Sequence, residues 1–479
     1  MAGQVGRPTG GGTPFPHQGA GEISTELKGG GDRPFGASPP HIRVTPPGPR
    51  SRALGKRLRR AESRNVTFIG DRFPVFWEEA LGANVRDVDG NVYVDLTGAF
   101  GVAFAGHRHP RVMRAAAEQQ HRLTHGMGDI HPPEAKVELL ERLTGLAPWP
   151  EARAVLASAG SEAVEIALKT AQLSTGRPGI LAFECGYHGL TLGALAATHR
   201  DDFRAPFRRR LYDGVRFVPF PVLAEEASQS LASCEQAFED GARAGAEIGA
   251  VLVEPVQGRG GVRIPPPNFF PELCALARRH GAVVVADEVF TGLGRCGSMF
   301  AGPALGLTAD LICLGKALGG GFPLSACLGT AEVFDAWPES AGEALHTSTF
   351  LGHPVACAAS LAFLDLVESE RLDQRAARLG EHLVARLREA LEGVGHVREV
   401  RGLGLLAGVE IARGRLAGAT VHPGAGAGIA AQLLAQGFLV LPAGEQGQVI
   451  ELTPAATMSR NLLDRALDQL VRAVIGFSE

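Results

Sequence analysis

Lysine is scarce in this 479-residue chain, occurring only at Lys28, Lys56, Lys136, Lys169 and Lys316, because nearly all the basic residues are arginine. The seven cysteines (Cys185, Cys234, Cys274, Cys296, Cys313, Cys327, Cys357) include no CxxC pair. Most lie in apolar runs, where a cysteine is usually a small buried hydrophobe. An intracellular, reduced and therefore cytoplasmic setting is expected. No apolar run approaches the ~20 residues of a spanning helix. The N-terminus shows no basic start followed by an apolar stretch, so no secretory leader is expected. A net charge of −4 gives no electrostatic case for nucleic acid or an anionic membrane surface. His121 and His125 have helical spacing but lack the acid of an HExxH motif, so no metal is assigned.

What is present has the balance of a globular enzyme, with 45% apolar and 20% charged residues. Residues 1–40 are rich in Gly and Pro without periodicity and read as a disordered tail. Residues 41–104 read as an extended arm followed by a hairpin. Its strands, Asn84–Asp87 and Val92–Leu96, flank an Asp89-Gly90-Asn91 turn. Residues 105–345 then alternate strand and helix, with strands at 154–157, 179–184, 249–254, 282–287 and 311–314. That predicts an α/β domain with a mainly parallel central sheet. Residues 346–479 read as a smaller α+β domain, which the early hairpin joins.

Two of the central strands end on charges. Gly281-Ala-Val-Val-Val-Ala-Asp287 ends on a carboxylate, and Leu311-Ile-Cys-Leu-Gly315 runs into Lys316 and then Ala317-Leu-Gly319-Gly320-Gly321. Ligands of open α/β sheets sit at the carboxyl ends of the strands, so both side chains are expected to face one crevice. An amine to condense with an aldehyde, and an acid to keep a ring nitrogen protonated, are what pyridoxal 5′-phosphate (PLP) requires. Ser158-Ala-Gly160-Ser161-Glu162 opens a helix and can hold a phosphate on free N–H groups and a hydroxyl. It also reads as an ordinary N-cap. In Cys185-Gly-Tyr187-His188-Gly189 the aromatic can stack on a flat ring or simply pack the turn. Asp287 also reads as a buried cap for its own turn, and Lys316 as a snorkelling surface lysine. The order of these groups along successive strand ends favours the joint reading. Ala317 after the lysine excludes a P-loop.

With these motifs the chain resembles the class III (ω-) aminotransferases of the fold type I PLP-dependent transferases, from about Val66 to the C-terminus. The carrying stretches are 287–301 and 310–321, supported by 106–110, 158–163, 187–189, 254–258, 346–354 and 401–404. The resemblance implies that Lys316 is the Schiff-base lysine and proton carrier. It implies that Asp287 meets the pyridine nitrogen, beside His188, and that Val289 and Tyr187 cover the two ring faces. Gly160 and Ser161 would bind the phosphate. Thr349 would reach the phosphate of a neighbouring subunit, which implies a homodimer with shared sites. Arg401 would grip the substrate carboxylate, and Phe100 and Glu254 would line the substrate pocket.

Three positions depart from the family pattern. Arg259 stands where users of 2-oxoglutarate often carry a glutamate, Phe290 where many members have glutamine, and His353 where Asn or Ser is usual. Arg259 reads either as a second cationic site for an acidic substrate or as the partner of a nearby acid. The resemblance implies an aminotransferase moving an amino group from an amino acid to a 2-oxo acid by a ping-pong mechanism. The donor would be an ω-amino acid such as 4-aminobutyrate or an ornithine-type compound. A racemase, epimerase or aminomutase on the same scaffold is the alternative.

Overall fold

The alternating pattern after residue 150 folds into one seven-stranded sheet. The structure is a computed structural model and describes residues 35–412 and 422–477. In chain order the N-terminal strands are β1 (Trp77–Leu81), β2 (Asn84–Asp87) and β3 (Val92–Asp95). The central run gives β4 (Ala152–Ala157), β5 (Gly179–Phe183), β6 (Val215–Val218), β7 (Ile248–Val253), β8 (Val283–Asp287), β9 (Leu311–Leu314) and β10 (Ser325–Thr330). The C-terminal part gives β11 (Val397–Leu403), β12 (Leu406–Ile411), β13 (Phe438–Leu439), β14 (Leu441–Ala443) and β15 (Val449–Leu452).

The large sheet has the order β4-β10-β9-β8-β7-β5-β6. Strands β5 to β9 are parallel, and β10 runs antiparallel between β4 and β9. The parallel members β7 and β8 are buried along their whole length, which is why they read as continuous apolar runs and not as alternations. Helix Gly160–Thr175 packs on the sheet through Ala163, Val164, Ile166 and Ala167. A separate core holds Phe183, Phe220 and Phe269 edge to face, with centroids 5.8 to 6.1 Å apart.

The hairpin strands form a second sheet, β1-β2-β3-β13, whose last member comes from the C-terminal region. Its turn is held by Asp87, which accepts from Asn91 N–H at 2.9 Å and from the Tyr93 hydroxyl at 2.7 Å. A third sheet, β11-β12-β15-β14, is antiparallel throughout. Of the tail expected over residues 1–40, residues 1–34 lie outside the described residues. From Phe35 onward the chain is seated, contrary to that expectation: Phe35 is buried, and the N–H groups of Gly36 and Ser38 donate to Asn84 Oδ1. Among the described residues no helix is long and apolar enough to cross a membrane.

Candidate active site

Five parallel-side strand ends converge on one cavity of about 360 Å³, within the range of small-ligand sites. Gly160, Ser161, Tyr187, His188, Glu254, Arg259, Asp287, Val289 and Lys316 all line it. Residues that follow β4, β5, β7, β8 and β9 in the chain are thereby brought together, as the carboxyl-end rule predicts.

At the floor, His188 Nδ1 lies 2.7 Å from Asp287 Oδ2, and Val289 N–H donates to Asp287 Oδ1 at 3.1 Å. Both side chains are buried. Burial opposes charge on His188, but the Asp287 carboxylate outweighs it and raises the imidazole above its ordinary value. The next residue, Glu288, turns the other way. It accepts from Ala301 and Gly302 N–H at 2.8 and 2.7 Å and from the Thr291 hydroxyl, closing the neck of the loop that follows β8.

Lys316 sits at φ +44°, a left-handed conformation that is uncommon for a lysine and costs backbone energy. The turn aims its Nζ over the Phe290 ring, 4.1 Å from the centroid. Burial lowers its pKa, opposed by Asp287, Glu254 and Glu451. Glu254 accepts from Tyr187 N–H at 2.9 Å and Gly258 N–H at 3.2 Å, and burial pushes its carboxyl up to about 7.

At the helix start the cap is not Ser161. Ala159 is the N-cap, and Glu162 accepts from Ser158 N–H at 2.8 Å. No hydrogen bond to the Ser161 hydroxyl occurs among the described residues, so it is left for a ligand. The approach is kept open by glycine. A Cβ at Gly160 would lie 2.8 Å from Val289 Cγ1, and one at Gly189, where φ is +120°, would lie 2.4 Å from Ser161 Cβ.

Three expected site residues lie apart from this cavity. Arg401 is committed inside the protein: its Nη1 is 2.6 Å from both Glu399 Oε2 and Glu410 Oε2, and its Nε and Nη2 donate to the carbonyls of Gly261 and Val262. So placed, the guanidinium is engaged by two carboxylates and two backbone carbonyls and does not line the cavity. Phe100 does not line the cavity either. Its turn is left-handed at Ala99 and Phe100, and the side chain is 58% exposed. Thr349 lies in an exposed loop of its own chain. Conversely, the expected reading gave no role to Phe290, and nothing singled out Leu190, both of which line the cavity. Glu451, buried in β15 beside the site, was also missed; a lone charge inside the apolar run Val449–Leu452 was its only signal.

A family model, Aminotransferase class-III, matches residues 69–474. The chain belongs to the class-III aminotransferases. It is 35% identical over 399 residues to the acetylornithine aminotransferase of Methanothermobacter thermautotrophicus, covering 83% of this chain and 93% of that protein. It is 32% identical over 451 residues to an alanine/serine racemase of Pyrococcus horikoshii, covering 91% and 92%. Its fold matches an amine transaminase from an uncultivated Pseudomonas species, solved in the PLP-bound form. That match has a TM-score of 0.78 and 31% identity, and covers 86% and 97% of the two chains. This class-III aminotransferase is accordingly a PLP enzyme with the transaminase fold. The residues present fit the cofactor: a glycine-lined approach, an uncommitted serine hydroxyl at a helix start, a buried acid and a half-buried lysine share one cavity.

Proposed function

We propose that this aminotransferase draws its amino group from an ω-amino acid, such as 4-aminobutyrate or an ornithine-type compound, and delivers it to a 2-oxo acid. The observation that carries this reading is that a second basic side chain, Arg259, lines the same cavity as Lys316. Lys316 marks the reacting end, and Arg259 is available for a carboxylate at the far end of the substrate.

In this reading Gly160 and Ser161 hold the phosphate, Tyr187 and Val289 flank the ring, and the Asp287–His188 pair faces its nitrogen. Bound there, PLP supplies an aldehyde for covalent capture of the amine and a cationic ring that stabilises negative charge on the substrate carbon. Asp287 is oriented for that partner by two hydrogen bonds, from Val289 N–H and with His188. Lys316, biased by burial towards the neutral amine, takes the proton on Nζ and returns it. Phe290 screens that nitrogen from water on one side. Arg259 replaces Arg401 as the carboxylate site, because no ion pair engages Arg259 among the described residues whereas Arg401 has two.

Two subunits complete the arrangement. Thr349 and the exposed Phe350 lie in a loop beside the exposed Met127 and Ile130, and this apolar face pairs with a second copy, bringing Thr349 to the neighbouring phosphate site.

The likeness to a racemase favours a second reading, in which Lys316 returns the proton to the carbon it came from. Incubation with donor and no acceptor separates the two. A transaminase releases about one oxo acid per subunit and stops. A racemase releases none and exchanges deuterium into the carbon bearing the amine, and that outcome rejects the proposal.

A further inference from the structure

The net charge of −4 conceals a local excess of the opposite sign. Seven cations lie between Arg50 and Arg64, against the single carboxylate of Glu62. Most of this stretch is one helix, Pro49–Ala61. Its first turn holds no acid, although the helix dipole favours one there. Arg52, Lys56 and Arg59 follow at spacings of four and three, within an arc of about 60° on the helix surface. Like charges so spaced repel, so the arrangement opposes the helix that carries it. Among the described residues Arg50 alone of the seven has an ion pair, with Glu78 at 3.7 Å.

Arg52, Lys56 and Arg59 line a cavity of about 190 Å³ between this face and the turn over residues 69–74. Gly70 N–H donates to the Phe73 carbonyl at 2.9 Å, which closes that turn. Arg52 Nη1 donates to the Pro47 carbonyl, and Arg59 Nη2 to the Ile69 carbonyl at 3.1 Å. Both guanidinium groups are thereby held at the rim with further N–H groups to spare. Asp71 is the one acid in the lining, and it is exposed. Three cations against one carboxylate leave the cavity positive. The helix N-terminus is not part of it, because Asp89 already accepts from the N–H groups of Arg50 and Ser51 at 2.7 and 2.9 Å. The cavity shares no residue with the active site.

We propose that this cavity is a second ligand site, which takes the phosphate chain of a di- or triphosphate. The three cations are spread over ~10 Å of helix, a row that suits linked phosphates better than a single one. Guanidinium groups meet phosphate oxygens in bidentate pairs, and the Lys56 ammonium adds a point charge between them. Linked phosphates carry enough negative charge to engage all three cations in spite of Asp71.

The test titrates inorganic triphosphate, ATP and orthophosphate into PLP-loaded holoenzyme by calorimetry at low ionic strength. Inorganic triphosphate is expected to bind at least about tenfold more tightly than orthophosphate, and to weaken as salt is added. Lys56→Gln should weaken it roughly tenfold, the size of one lost charged contact, and Arg52→Ala and Arg59→Ala at least as much. Lys56→Gln isolates the charge, because this side chain makes no hydrogen bond among the described residues. Arg57→Ala and Arg60→Ala remove equal charge outside the cavity and should change the affinity less than about twofold. Binding of ATP as tightly as triphosphate supports the site with a nucleotide as the source of the phosphates. Exclusion of ATP supports it with free polyphosphate as the ligand. Absence of triphosphate binding overturns the proposal. Equal losses in all five variants also overturn it, since they mean diffuse attraction to a basic helix. So does binding seen only in cofactor-free protein, which would put the anion at Gly160 and Ser161 instead.

Discussion

Three buried glutamates surround the chemistry, and their environments differ in kind. Glu254 and Glu288 each accept two or more hydrogen bonds, yet burial still pushes both up to about 7. Glu451 rises to the same value with no such bonds to its Oε2. All three bind protons more tightly folded than unfolded. Between the ordinary glutamate value and about 7 the folded chain therefore holds more protons, and stability falls as pH rises through that window. His188 acts in the same direction, because a base raised in the fold stabilises it only while protonated. Chemical denaturation of the cofactor-free protein should show a lower midpoint at pH 8 than at pH 5, with a loss on the order of 3 kcal/mol per carboxyl at full ionisation. A midpoint that climbs over this range would contradict the burial argument. At this scale the sequence was legible where a charge ended a strand, as at Asp287 and Lys316. It was silent where the outcome depended on a competition between partners. Arg401 has the expected neighbours in sequence, but Glu399 and Glu410 reach it first.

Elements fix where those residues meet. Of the five strands legible between residues 153 and 315, β5, β7, β8 and β9 are buried along their whole length and so form unbroken apolar runs, whereas β4 is buried only at Leu156 and Ala157. β10 escaped notice because Ser325-Ala-Cys-Leu-Gly-Thr follows the Gly319–Gly321 turn with no helix between, and direction is not written in a short apolar run. The apolar stretch from Phe438 contributes β13 and β14 to different sheets, a division that no break in its apolar pattern announces. The helix Gly160–Thr175 approaches the loop after β8 closely enough that its first residue must lack a side chain. Gly160→Ala would press a methyl against Val289 and is expected to cost about 1–3 kcal/mol by overpacking. It should also weaken PLP retention at least tenfold, measured as loss of the cofactor absorbance on dilution. Full retention would mean that this contact does not shape the phosphate end.

The whole molecule exposes Phe350 at 58%, next to His125 at a centroid distance of 5.2 Å, with Met127 and Ile130 close by. Large exposed apolar residues grouped this way mark an interaction surface. Sedimentation of the holoenzyme should give twice the 50.2 kDa chain mass, and a monomer at micromolar concentration would remove the shared-site arrangement. The pattern of alternation disclosed the sheet but not this face, since an exposed phenylalanine in a loop has no periodicity to betray it.

The outer flank of the large sheet closes differently. β6 is four residues long and carries Arg216 in its middle. Its open backbone groups are few, and a long cation stands over them, which blunts templating of a further strand. Concentrating this enzyme should therefore yield discrete particles and not fibrous accretion along that rim.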